Sequence, residues 1–66
     1  MKGYVARDKD SNDLWVHYIK PRREYMMWVS DGRIFEIHNE DFPEFKDLTW
    51  NDEPVEVEFT IKKIKL

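Results

Sequence analysis

Apolar and polar residues alternate strictly near the C-terminal end of the chain. Val55, Val57, Phe59 and Ile61 fall on one side, and Glu56, Glu58, Thr60 and Lys62 on the other. This two-residue repeat is that of a half-buried β-strand. The run is preceded by Trp50-Asn51-Asp52-Glu53-Pro54, whose composition favours a turn. An Asp-Gly dipeptide in Ser30-Asp31-Gly32-Arg33 separates two further β-prone runs and predicts a two-residue hairpin. Pairing Ser30 with Arg33 sets Val29 against Ile34, Trp28 against Phe35, Met27 against Glu36 and Met26 against Ile37. Met26, Trp28, Phe35 and Ile37 then share one apolar face.

Upstream, Tyr4 to Arg7 and Leu14 to Lys20 predict another strand pair, joined by the polar turn Asp8-Lys9-Asp10-Ser11-Asn12-Asp13. Both faces of Leu14 to Ile19 are largely apolar, as in a central strand or one covered on both sides. Pro21 lacks the amide hydrogen of a central ladder and should break the run. Asp41-Phe42-Pro43-Glu44 has the composition of a short capping box, predicting one helical turn over 41–47. The expected fold is all-β: one domain spanning 1–66, an antiparallel sheet of about five strands arranged as a meander or a small barrel.

A chain of 66 residues has room for only a small core. With no Cys to cross-link it, ten aromatic residues or self-association are the expected aids to stability. No run approaches a membrane span and the first residues carry no apolar leader, so a cytoplasmic location with no membrane partner is expected. Charge is segregated. Residues 1–35 hold seven Lys or Arg and five acids, 36–58 hold one Lys and nine acids, and 59–66 hold three Lys and no acid.

The strings Gly3-Tyr4-Val5-Ala6-Arg7-Asp8-Lys9-Asp10, Lys20-Pro21, Phe42-Pro43-Glu44 and Leu48-Thr49-Trp50-Asn51-Asp52-Glu53-Pro54-Val55-Glu56-Val57-Glu58 resemble a family of short uncharacterised proteins of Bacteroides-type gut bacteria and their phages. The likeness covers most of the chain. It is specific at Tyr4-Val5-Ala6-Arg7-Asp8 and over Thr49 to Glu58, and weak between them. That family usually carries Asp-Gly in its first turn, where this chain has Asp10-Ser11-Asn12-Asp13. The resemblance implies a small accessory protein of mobile-element origin and brings no activity with it.

Residues 8–12 match the opening of a calcium loop, but Asp13 stands where that loop needs Gly and Ile19 where it needs a bidentate Glu. A plain turn is expected there. His17 and His38 lack a third ligand at metal-binding spacing, and Ser11 and Ser30 would need a base and an orienting acid for nucleophilic catalysis. Glu56 and Glu58 would lie about 7 Å apart on one strand face, the ordinary solvent side of a half-buried strand. No catalytic residue, metal or cofactor is assigned.

The leading expectation is a non-catalytic protein-interaction or accessory module, with an unknown protein partner and a homodimer formed through the terminal strand. Its surface would be Glu56, Glu58, Lys62, Lys63, Ile64 and Leu66. Lysines of one copy would approach Glu56 and Glu58 of the other. The alternative is a single-strand nucleic-acid binder using Arg22, Arg23, Trp28, Arg33 and Phe35 for phosphate contact and base stacking. The nine acids between 36 and 58 oppose a polyanion and place this second.

Overall fold

In the computed structural model, which describes residues 1–60, six strands form two antiparallel sheets. These are β1 (Lys2–Arg7), β2 (Leu14–His17), β3 (Arg22–Glu24), β4 (Met27–Val29), β5 (Ile34–Ile37) and β6 (Val55–Glu58), with a 3-10 turn at Pro43–Phe45 before β6. The order β5-β2-β1-β6 makes the larger sheet, and β3 and β4 pair separately. The fold is all-β and antiparallel, with its strands divided between two sheets where the pattern implied one.

The β1–β2 pair forms as the alternation requires, with Arg7 opposite Leu14 and Tyr4 opposite His17. Its loop closes through the Asp8 amide donating to the Asp13 carbonyl at 3.0 Å. Asn12 takes φ 62°, a conformation its short polar side chain tolerates better than most. As a central strand, β2 carries buried residues on both faces: Leu14 and Val16 on one, His17 on the other. One face of the larger sheet supplies the core of Val5, Leu14, Val16 and Ile37, against which Phe45, Leu48, Val57 and Phe59 pack. Gly3 lets the Phe59 ring lie across β1, since a Cβ there would stand 2.8 Å from the ring edge.

The Asp31-Gly32 hairpin does not form. Strand β4 pairs with β3, setting Trp28 opposite Arg23, while β5 pairs with β2, setting Phe35 opposite Val16. A type I′ turn needs positive φ at both central residues, and Gly32 does not take it. Gly32 serves close approach instead, because a Cβ there would lie 2.8 Å from Ile19 Cγ1. Phe35 and Ile37 keep the shared face their spacing implies, but they spend it on the Leu14 and Val16 side of β2.

The predicted helical turn is shorter than 41–47 and of the tighter 3-10 type. Phe42, rather than Asp41, occupies the N-cap position, and no side-chain hydrogen bond caps it. The Asp41 and Phe42 amides both donate to the His38 carbonyl. This places Pro43 at the start of the turn, where its missing N–H costs nothing.

The irregular stretches are fastened by Arg7, a buried guanidinium. Its Nε donates to the Leu48 carbonyl at 2.6 Å, one Nη to the Asn12 carbonyl at 2.8 Å, and the other to Asn39 Oδ1 at 2.9 Å and the Phe45 carbonyl at 3.0 Å. A planar fork of donors suits this division among three segments. Among the described residues no helix is long and apolar enough to cross a membrane.

Candidate functional site

The β3–β4 hairpin turns through Tyr25 and Met26. Tyr25 stands at φ 59°, positive at the first central residue as in a type II′ turn, where glycine is favoured. Placing a bulky L-residue there costs roughly 1–2 kcal/mol. Its side chain recovers nothing by burial, since Tyr25 is 91% exposed, and the adjoining Met26 and Met27 are 37% and 52% exposed. These three side chains, with Asp8, Asp10 and Ser11, line a cleft of about 280 Å³.

Backbone and side-chain bonds hold the tip against the β1–β2 loop. The Lys9 amide donates to the Met26 carbonyl at 3.0 Å, and the Trp28 amide donates to Asp8 Oδ1 at 2.9 Å. The buried Trp28 ring adds an Nε1–H bond to the Arg7 carbonyl at 3.1 Å. Behind it the Arg23 guanidinium lies 4.6 Å from the Trp28 ring centre and 5.4 Å from that of Trp50, donating also to the Trp50 and Asp52 carbonyls. An apolar finger flanked by carboxylates is thus presented on a braced base.

The nucleic-acid set is not assembled as a stacking platform. Trp28 is buried, Arg23 is held between two indoles and pairs with Glu53 at 3.3 Å, and Arg22 pairs with Glu24 at 2.8 Å. Phe35 belongs to the other sheet, in an edge-to-face cluster with Tyr18 and Phe59. Arg33 is exposed, and its carbonyl accepts from the Tyr18 amide.

Of the terminal-strand surface, Glu56 and Glu58 are exposed on β6, an edge strand of the sheet, with Glu56 3.8 Å from Lys2 Nζ. Lys62, Lys63, Ile64 and Leu66 lie outside the described residues. The opposite face of β6 borders a second apolar cleft of about 250 Å³, whose lining includes Phe35, Phe42, Phe45 and Phe59.

Ser30 and His17 do meet, Oγ to Nδ1 at 2.8 Å, but His17 Nε2 is buried without a partner among the described residues. Burial pushes the His17 pKa below its ordinary value, against a smaller opposing pull from the Asp8 charge. Among the described residues no carboxylate is hydrogen-bonded to His17 to orient it as a catalytic imidazole. Among the described residues no three His, Asp or Glu side chains converge as a metal site, and residues 8–13 form a turn.

Sequence reasoning missed Tyr25, because tyrosine is not a turn-forming residue and the adjacent Asp31-Gly32 signal assigned β4 to another partner. Two consecutive methionines beside a tyrosine, with no room for them in a core this small, were the available sign. Comparisons with protein families, with curated proteins and with solved structures find no match for this chain.

Proposed function

We propose that the chain is a non-catalytic protein-interaction module whose contact surface is the Tyr25-Met26-Met27 tip with the neighbouring carboxylates of Asp8 and Asp10. The observation that carries this reading is the exposed Tyr25 ring on a left-handed backbone, a placement that costs stability and contributes contact area to a partner. Tyrosine supplies a rigid amphipathic surface of the kind that dominates interface energetics, and methionine adapts to irregular partner shapes. That no acid among the described residues is hydrogen-bonded to the Ser30–His17 pair supports a non-catalytic role. An accessory protein of mobile-element origin, the role the family resemblance implies, fits a small module of this kind.

Single-strand nucleic-acid binding has less support, since the Trp28 ring offers no free face for a base.

The test is site-specific photo-crosslinking in the cells that express the protein. A photoreactive phenylalanine at position 25 should give a discrete protein adduct, and the same group at the exposed Glu36 should give none. Identical products from both positions, or none from position 25, would remove the reading.

A further inference from the structure

The tip is apolar, its flank is acidic, and the one segment of this sequence with the complementary character is Ile61-Lys62-Lys63-Ile64-Lys65-Leu66, three lysines interleaved with three aliphatic residues and no acid. We infer that the Tyr25, Met26, Met27, Asp8 and Asp10 cleft receives residues 61–66 of a second copy of the chain. This rests on the interaction reading above and identifies the partner.

Charge makes the match. The loop Asp8-Lys9-Asp10-Ser11-Asn12-Asp13 carries three carboxylates against one ammonium, and Asp10 makes no hydrogen bond or ion pair among the described residues. Lysine stems can lie along the Met26 and Met27 side chains with their ammonium groups at Asp8 and Asp10, or over the Tyr25 ring. The aliphatic residues between them cover the exposed thioethers.

Reach requires that the donor be another copy. Strand β6 runs antiparallel to β1, and Phe59 exchanges hydrogen bonds with Met1 at 2.8 Å in both directions. The chain therefore leaves β6 beside the start of β1, while Asp8 follows its far end at Arg7. At the rise of a strand, Met1 and Asp8 stand about 23 Å apart. Six residues extend at most about 20–22 Å, a length used up in covering that separation, so a segment tethered at Thr60 has none left to fill its own cleft. Two copies exchanging the segment reciprocally satisfy both clefts about a two-fold axis, a closed arrangement.

The experiment is sedimentation of the full chain across a concentration series at low and high salt, with amide-shift mapping. The expected result is a dimer that weakens with salt, as screened charge pairs do. Tyr25→Gly should weaken it about tenfold or more. Replacing Lys62, Lys63 and Lys65 with Gln should give a monomer without touching the described fold, and Asp10→Asn should weaken the dimer several-fold. Added Ile-Lys-Lys-Ile-Lys-Leu peptide should dissociate the dimer and shift the amides of Tyr25, Met26 and Met27.

A monomer at all concentrations overturns the inference, as does a dimer insensitive to Tyr25→Gly. Loss of the dimer on Glu56→Gln with Glu58→Gln, and not on Asp10→Asn, would assign association to the β6 edge instead. Peptide shifts confined to Phe35 and Phe42 would place the segment on the aromatic cleft and also overturn it. A crosslink from position 25 to a different protein would discard the second copy while leaving the interaction reading intact.

Discussion

Replacing Arg7 with methionine removes one side chain and releases three irregular segments at once. The substitution keeps a long flexible stem in the same space but removes the guanidinium from the Leu48, Asn12 and Phe45 carbonyls and from Asn39 Oδ1. Asn12 and Asn39 are exposed and water replaces their lost bond at small cost, and the Phe45 carbonyl keeps the Leu48 N–H, so the carbonyl of the partly buried Leu48 decides the outcome. An unpaired buried carbonyl costs about 1–3 kcal/mol, giving roughly 2 kcal/mol here. A chain of this size holds about 3–10 kcal/mol in all. Arg7→Met therefore removes about a fifth or more of the stability, and Arg7→Lys, which keeps the charge but not the planar fork, loses a large part of the same amount.

Urea titration followed by tryptophan fluorescence reads this directly. With a slope near 1 kcal/mol per molar urea, the midpoint should fall by about 2 M in Arg7→Met. Amide exchange should quicken first at Leu48, whose N–H is bonded to the Phe45 carbonyl in the segment Arg7 holds. A midpoint within about 0.3 M of the parent, less than about a fifth of the expected energy, would refute the assignment of Arg7 as the fastening group.

Trp28→Ala should cost about 3–5 kcal/mol in the same assay, from loss of a buried indole and its bond to the Arg7 carbonyl, and an unchanged midpoint would oppose its burial. Gly32→Ala should lower stability measurably, because the new Cβ meets Ile19, and a neutral result would deny that close approach. His17 should make stability depend on pH in a defined sense. Its folded-state pKa lies below the unfolded value near 6.5, so the unfolded chain binds the proton more readily, and the stability present above about pH 6.5 is lost as pH falls through the lowered value. Urea midpoints between pH 5 and 7 should therefore decline toward acid, and a flat or inverted profile contradicts a buried neutral imidazole.

How much of this was legible in the chain follows the physics of each signal. Strict alternation from Val55 and the double-sided apolar run from Leu14 are properties of one strand, and both strands begin where expected, although β2 ends at His17, short of Lys20, and β6 at Glu58. Strand partnership is a property of pairs. The Asp31-Gly32 signal was local and plausible, yet β5 gains more by setting Phe35 and Ile37 against Val16 and Leu14 in the core than by pairing with β4. Once β4 lost that partner, β3 became its mate and Tyr25 the turn residue. A short three-residue strand such as Arg22–Glu24, all of it exposed, has no alternation to reveal it. Arg7 looked like an ordinary strand residue, because its four acceptors come from parts of the chain that only the folded state brings together. The proposed contact surface was missed for the same reason: it is built from a loop and a hairpin tip whose neighbourhood no spacing encodes.

The account stands on Tyr25 serving contact and not folding, and the unfolding free energy of Tyr25→Gly tests that most directly. Glycine adopts the positive φ without steric cost, and the lost ring is 91% exposed, so relief of up to about 1–2 kcal/mol is offset only by the greater freedom of glycine in the unfolded chain. At concentrations too dilute for two copies to associate, the predicted result is a urea midpoint equal to or above that of the parent. A midpoint clearly below it would show that the Tyr25 ring holds the fold together, and would contradict the contact surface on which the proposed function depends.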